Sequence, residues 1–98
     1  MIIEFLAPAV QEFLETVDFY NSESEGLGFE FASEVEHTLQ RIIQYPDAWH
    51  PLSKRTRRCR TNRFPYSVVY LSRPGKILVV AIMHMRKKPN GWKSRLTD

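Results

Sequence analysis

The sequence contains a single cysteine, Cys59, which excludes an internal disulfide and is typical of a reducing cytoplasm. The three histidines, His37, His50 and His84, are isolated from one another, so no zinc-like spacing occurs and we expect neither a metal site nor a cofactor. The first ten residues lack the basic start of a signal peptide. The longest apolar run is far too short to cross a bilayer, so we expect no membrane association.

Acidic residues are almost missing from the second half of the chain. Residues 1–47 hold ten of the eleven acids and one base, Arg41, which gives a net charge of −9. Residues 48–98 hold thirteen bases and one acid, Asp98, which gives +12. Lysine and arginine often protect exposed sheet edges, but thirteen bases exceed that need. The pattern predicts a basic surface that meets an anion, either nucleic acid or an acidic protein segment.

The first half is predicted to form a short strand followed by two amphipathic helices. Met1–Leu6 is the strand, and helical spacing follows it in the positions Val10, Phe13, Leu14, Val17 and Tyr20. Gly26 and Gly28 can end this helix and begin a second one, Leu27–Tyr45, which Pro46 ends. The second helix has an apolar stripe formed by Phe31, Val35, Leu39 and Ile42. Together the helices form an antiparallel hairpin with one apolar side.

The second half is predicted to form a three-stranded meander. Its strands are Thr56–Arg60, Pro65–Leu71 and Ile77–His84, and the continuous apolar run of the last one favours a central strand. Asp47–Lys54 is predicted to be a loop. The chain therefore reads as one α+β domain over residues 1–98, ordered β-α-α-β-β-β. The helix hairpin packs on a four-stranded, mainly antiparallel sheet.

Two groups of residues are candidates for binding or chemistry. Arg58 and Arg60 share one face of their strand because side chains alternate, and such a pair can bind phosphates or carboxylates. His84 ends the last strand and has an ordinary pKa near neutrality, which suits a general base, but a hydrogen-bonded histidine at a strand end is the alternative. Next to it, Arg86, Lys87 and Lys88 are candidates for contacts with a partner, or a solvated strand terminus.

Two stretches carry a resemblance to a known family. They are Arg63-Phe64-Pro65-Tyr66-Ser67-Val68-Val69-Tyr70 and Ala81-Ile82-Met83-His84-Met85-Arg86-Lys87-Lys88-Pro89. With the helices before them, they make nearly the whole chain resemble the RelE/ParE toxin superfamily of bacterial type II toxin–antitoxin modules. The similarity is greater to the ParE-like, plasmid-stabilisation branch.

The resemblance implies a toxin that binds a cellular target such as DNA gyrase and is neutralised by a cognate acidic antitoxin. The alternatives it leaves open are a RelE-like, ribosome-dependent mRNA endonuclease and a degenerate, non-toxic member. Arg86 matches a nuclease arginine, but Ser67 stands where RelE-like nucleases carry another arginine. No tyrosine follows Arg86, and Trp92 has no transferable proton. Whether the helix hairpin also forms a homodimer stays open.

Overall fold

The computed structural model describes residues 1–86 and 91–96 and places two helices on one face of a five-stranded sheet. In chain order the elements are β1 (Ile2–Phe5), α1 (Ala7–Glu23), α2 (Leu27–Gln44), β2 (His50–Pro51), β3 (Thr56–Arg60), β4 (Tyr66–Arg73), β5 (Lys76–His84) and a 3-10 helix (Lys93–Arg95). The strand order is β1-β5-β4-β3-β2. β1 runs parallel to β5, and the other neighbours are antiparallel. The predicted α+β class and helix hairpin are confirmed.

The predicted number of four strands is wrong by one. His50 and Pro51 pair with Arg58 and Arg57 and form the edge strand β2, within the segment that we predicted to be a loop. A two-residue strand that contains a proline shows no alternation in the sequence. Proline is also tolerated at a sheet edge, because the N–H that it lacks would not be needed there to pair with a further strand.

Most of the predicted helix faces are confirmed, with one correction in α1. The four stripe residues of α2 are buried, and Phe13, Val17 and Tyr20 of α1 pack against the same core. Val10 and Leu14, however, are 41% and 54% exposed. The face of α1 that meets the sheet carries the buried residues Ala9 and Thr16, which leaves the Val10–Leu14 side on the surface of the helix pair.

The two helices approach each other closely at Gly28. Its N–H donates a hydrogen bond of 2.7 Å to Oδ1 of Asn21. A Cβ at this position would lie 2.1 Å from the carbonyl oxygen of Val17, a backbone atom that cannot rotate away. Glycine is therefore needed here for the contact between the helices rather than for its backbone freedom.

β5 lies between β1 and β4 as the predicted central strand, and a β-bulge at Val80 changes which face its side chains occupy. Before the bulge, Ile77 and Val79 pack towards the helices. Val80 and the residue after it both pack on the opposite, outer face. From there the alternation is shifted by one residue, so Ile82 packs towards the helices again.

The outer face of the sheet has its own small core beneath the C-terminal segment. Trp92 is 3% exposed there and anchors the segment. It packs in a cluster with Val69, Leu71, Val80, Ala81 and Met83. The sheet is thus covered by helices on one face and in part by the C-terminal segment on the other.

Side chains, instead of a neighbouring strand, form hydrogen bonds with backbone groups along part of the free edge of β5. β1 pairs with β5 only as far as Val79. Beyond that point a carboxylate oxygen of Glu12 accepts a 3.1 Å hydrogen bond from the Ile82 N–H, and Arg95 donates to the Val80 carbonyl at 3.0 Å. Arg95 and Glu12 form a two-pronged ion pair with both distances 2.7 Å, and these hydrogen bonds raise the pKa of Arg95.

In the described part of the chain, neither helix is long and apolar enough to traverse a bilayer.

Replacing Gly28 by alanine is expected to destabilise the fold by about 1–3 kcal/mol, because the added methyl group overlaps the Val17 carbonyl and must push the helices apart. Chemical denaturation followed by circular dichroism measures this change. Ser33→Ala, at an exposed position of the same helix, is the control and should shift the free energy of unfolding by less than about 0.5 kcal/mol. A neutral or stabilising Gly28→Ala would show that the close approach is wrong.

Tyr70 gives a prediction for alkaline pH. Its hydroxyl lies in the core and donates a 2.6 Å hydrogen bond to the Pro46 carbonyl, and burial raises the pKa of Tyr70 to about 12. Because the unfolded side chain ionises near pH 10, the stability that comes from this raised pKa is present below pH 10 and is lost as the pH rises to about 12.

Tyr70→Phe should therefore lower the free energy of unfolding by about 1 kcal/mol at neutral pH, the usual contribution of one hydrogen bond. Its stability should also decline less steeply than that of the wild type between pH 10 and pH 12. Urea titrations at several pH values test both parts, with the exposed Tyr45→Phe as control. Identical pH profiles for Tyr70→Phe and wild type would contradict the prediction.

Candidate functional site

The two faces of β3 carry different side chains, as the alternation in the sequence predicted. Arg58 and Arg60 pair in register with Val69 and Ser67 and lie on the outer face of the sheet. Arg57 lies opposite Tyr70 on the face towards the helices. The strand therefore presents arginine side chains on both sides of the sheet at its β2 end.

A surface pocket of about 450 Å³ lies at one end of β3. It is lined by Arg41, Trp49, His50, Arg58, Arg60, Asn62 and Met85. Arg41 reaches it from the last turn of α2 and donates to the carbonyl oxygen of Arg60 at 2.9 Å. The indole N–H of Trp49 donates to the Arg41 carbonyl at 3.3 Å and so holds the loop against the helix.

A second pocket, of about 270 Å³, lies at the other end of the strand. Its lining consists of Asp47, Lys54, Arg55, Arg57, Leu71, Ser72 and Arg73. Arg57 is held there by a 2.8 Å hydrogen bond to the Trp49 carbonyl. We call the five bases Lys54, Arg57, Arg58, Arg60 and Arg73 the basic edge.

The sequence indicated the charge of this region but not all of its members. The sequence predicts Arg58 and Arg60 as binding residues, whereas Lys54, Arg57 and Arg73 are not among the predicted binding residues. Arg41 was missed as well, although it is the only base in the acidic half, which is a signal that could have drawn attention to it.

His84 lies on the face of the sheet opposite to Arg58 and Arg60. It pairs in register with Tyr66, and the two rings meet edge to face with centroids 5.0 Å apart. Its Nδ1 accepts a 3.0 Å hydrogen bond from the backbone N–H of Arg86. This is the strand-end hydrogen bond that we gave as the alternative to a catalytic role.

The surroundings of His84 form a separate pocket on the helix side. Besides His84 the pocket is lined by Glu12, Glu15, Thr16, Phe19, Tyr66 and Ile82. None of the arginines of β3 borders it, so the structure does not bring His84 and the predicted arginine pair together.

Ser67 is fully buried on the outer face. Its hydroxyl donates a 3.3 Å hydrogen bond to the sulfur of Met85, which also lines the larger basic pocket. Arg86 is exposed in the turn that follows β5, while the predicted binding residues Lys87 and Lys88 lie outside the described residues.

The Cys59 thiol and the possible metal ligands do not add a reactive site among the described residues. Burial raises the pKa of the Cys59 thiol, although Arg41 acts in the opposite direction, so the neutral thiol is favoured. Within residues 1–86 and 91–96, no three or more histidine, cysteine or carboxylate side chains are grouped so that they could hold a metal ion. What the described region offers a partner is positive charge around β3.

The chain is similar to known proteins both in sequence and in fold. The family model described as the ParE toxin of the type II toxin–antitoxin system parDE matches residues 3–89. A comparison with curated protein sequences finds no match. Among solved structures, the fold is similar to a chain described as the chromosomal ParDE toxin–antitoxin system from P. aeruginosa. The TM-score is 0.74 at 14% sequence identity, over 86% of this chain and 95% of that one. Because the family model covers most of the sequence, this chain belongs to the ParE toxin family of type II toxin–antitoxin systems.

Proposed function

We propose that this protein is a cytoplasmic toxin that arrests growth by binding a cellular target, DNA gyrase, and is neutralised by an acidic antitoxin. In this proposal it acts without catalysis of its own. The observation that carries the proposal is the separation of the candidate catalytic histidine, His84, from the predicted pair Arg58 and Arg60. They lie on opposite faces of one sheet.

RNA cleavage by a 2′-hydroxyl needs a base and positive charge at the same phosphate. The base must remove the hydroxyl proton while cations stabilise the charge that develops on the phosphorane. His84 faces the helix side of the sheet and Arg58 and Arg60 face the outer side, so this pair is not positioned beside the imidazole. His84 Nδ1 is also occupied by the N–H of Arg86.

Neither Ser67 nor Trp92 supplies a cation or a proton-transferring group that RNA cleavage would need. Ser67 is buried beneath Met85 and cannot reach a bound phosphate from its present position. Trp92 is packed into the outer core and its indole N–H is not an acid that transfers protons at neutral pH. These two placements support a toxin that acts by binding.

A partner of the antitoxin type suits both the charge and the apolar surface of the chain. The solved relative is described as a ParDE toxin–antitoxin system, and we extend that pairing to this chain. Val10, Leu14 and Phe29 are 41%, 54% and 69% exposed on the helix pair and offer apolar contacts. The basic edge offers contacts for carboxylates. A partly disordered, acidic and amphipathic segment that orders on binding would satisfy both surfaces.

Induction of the chain without antitoxin should arrest growth with transcripts intact and plasmid supercoiling altered. Primer extension on translated messages and gel analysis of plasmid topoisomers measure the two effects, and Arg86→Ala serves as the comparison. Codon-positioned cuts that disappear in Arg86→Ala would instead establish the RelE-like endonuclease. Normal growth at full expression would identify a degenerate, non-toxic member.

The double substitution Arg58→Ala with Arg60→Ala should leave the fold intact and impair toxicity or antitoxin binding. Both side chains lie at the surface of a pocket, where replacements usually change stability by only about 0.5 kcal/mol. Since exposed charges steer association, added salt should slow antitoxin binding by wild type more than binding by the double variant.

Stopped-flow association at several salt concentrations and growth assays after induction test this expectation. Arg63→Ala with Lys76→Ala is the matched control, because it removes the same charge from two bases that already pair with Glu30 and Glu4. Full toxicity together with unchanged, salt-insensitive neutralisation in the Arg58/Arg60 variant would show that these arginines bind neither partner.

A further inference from the structure

Within residues 1–86 and 91–96, the bases of the basic edge form no ion pair with a carboxylate, although Asp47 borders the smaller pocket. Bases elsewhere do have carboxylate partners: Arg63 pairs with Glu30, Lys76 with Glu4, and Arg95 with Glu12. No ion pair joins any member of the basic edge to a carboxylate of the described residues. Positive charge is therefore concentrated at the β2–β3 edge of the sheet, with Arg58 and Arg60 on the outer face and Arg57 on the helix face.

Protection of a free sheet edge does not account for this charge. β2 already pairs with β3 at Arg57 and Arg58, and Arg41 occupies the carbonyl oxygen of Arg60. Side chains that guard an edge are needed where backbone groups are unpaired. Here much of the backbone of β3 on that side is occupied, and the charges remain.

The dimensions of the basic edge match a phosphate backbone. The five residues of β3 extend over about 14 Å at about 3.4 Å per step, and Lys54 and Arg73 lie beyond the Thr56 end of the strand. Phosphates of one DNA strand follow one another at about 3.4 Å along the helix axis, so the edge spans about four of them. Guanidinium groups also suit phosphate oxygens because they donate two parallel hydrogen bonds.

Duplex nucleic acid fits this surface better than an acidic protein segment alone. An amphipathic peptide needs apolar anchor sites between its carboxylates, and the chain exposes such side chains on the helix pair, not on the basic edge. Trp49, the aromatic residue of the larger pocket, is half-buried and hydrogen-bonded, so it is poorly placed to stack on unpaired bases. Surfaces that bind DNA are typically polar and strongly positive.

We infer that the basic edge binds the phosphate backbone of duplex DNA without reading its sequence. The inference rests on the proposed function in one respect, the choice of DNA as the ligand. The proposed target, DNA gyrase, supercoils DNA, so a toxin bound to it would lie next to the duplex. The acidic half of the chain, with a net charge of −9, lies largely in the helices and disfavours their approach to DNA. The toxin would thus contact target and DNA together, with the basic edge towards the duplex.

Fluorescence anisotropy with the full chain and a short labelled DNA duplex of mixed sequence tests this inference over a range of salt concentrations. Four phosphate contacts predict a slope of log affinity against log salt of about −3 to −4. Arg58→Gln with Arg60→Gln, and separately Lys54→Gln with Arg73→Gln, should each reduce that slope by up to about 2. The control Arg63→Gln removes one charge from a base that already pairs with Glu30 and should keep the wild-type slope.

Circular dichroism and thermal unfolding verify that each variant is folded. No binding of the duplex at low salt would overturn the inference, as would an equal loss of slope in the control variant. Tighter binding of polyglutamate or of duplex RNA than of duplex DNA would overturn it too. The titration contains no gyrase, so inhibition of supercoiling by a preparation that fails to bind DNA would still support the proposed target.

Discussion

The β-bulge at Val80 is the constraint on which the arrangement of the surface depends. β5 is buried between two neighbours and covered on both faces, so each of its side chains must fit one core or the other. The extra residue lets Val80 and Ala81 both pack on the outer core. Because it reverses the alternation afterwards, His84 comes to lie beside Tyr66 on the helix side. Strict alternation from Ile77 would have placed it on the outer face with Arg58 and Arg60.

The acidic helices are connected to the basic second half of the chain by ion pairs and by hydrogen bonds to backbone groups. Glu12 of α1 bonds both Arg95 and the backbone of β5, and Glu34 of α2 accepts from the Asn62 N–H at the turn before β4. Glu30 adds an ion pair with Arg63 at the same turn. The helices therefore use their carboxylates to position turns and a strand edge, and within residues 1–86 and 91–96 none of these carboxylates pairs with Arg58 or Arg60.

Much of the fold could be predicted because its signals are local. The α2 stripe, the separating glycines and the apolar run of β5 each extend over enough residues to define an element. The placement of His84 could not be predicted, since a bulge within a continuously apolar strand leaves no trace in the pattern of residue types. The contribution of Arg41 to the basic pocket depends on the packing of α2 against β3, which no local pattern specifies. The same holds for β2, whose two residues form a strand only because β3 lies beside them.

Charge that the fold does not compensate is informative about function, because repulsion between like charges destabilises the folded state. Neighbouring cations repel one another, and the repulsion is relieved where a carboxylate is placed between them. The chain has eleven acids and places three of them against Arg63, Lys76 and Arg95, yet Arg58 and Arg60 have no carboxylate partner among the described residues. Nothing in the hydrogen-bonding of β3 requires guanidinium groups on its outer face, since neutral polar residues would pair there equally well. The unfavourable repulsion is offset only when an external anion binds, so the basic edge is better explained by a partner than by the stability of the isolated chain.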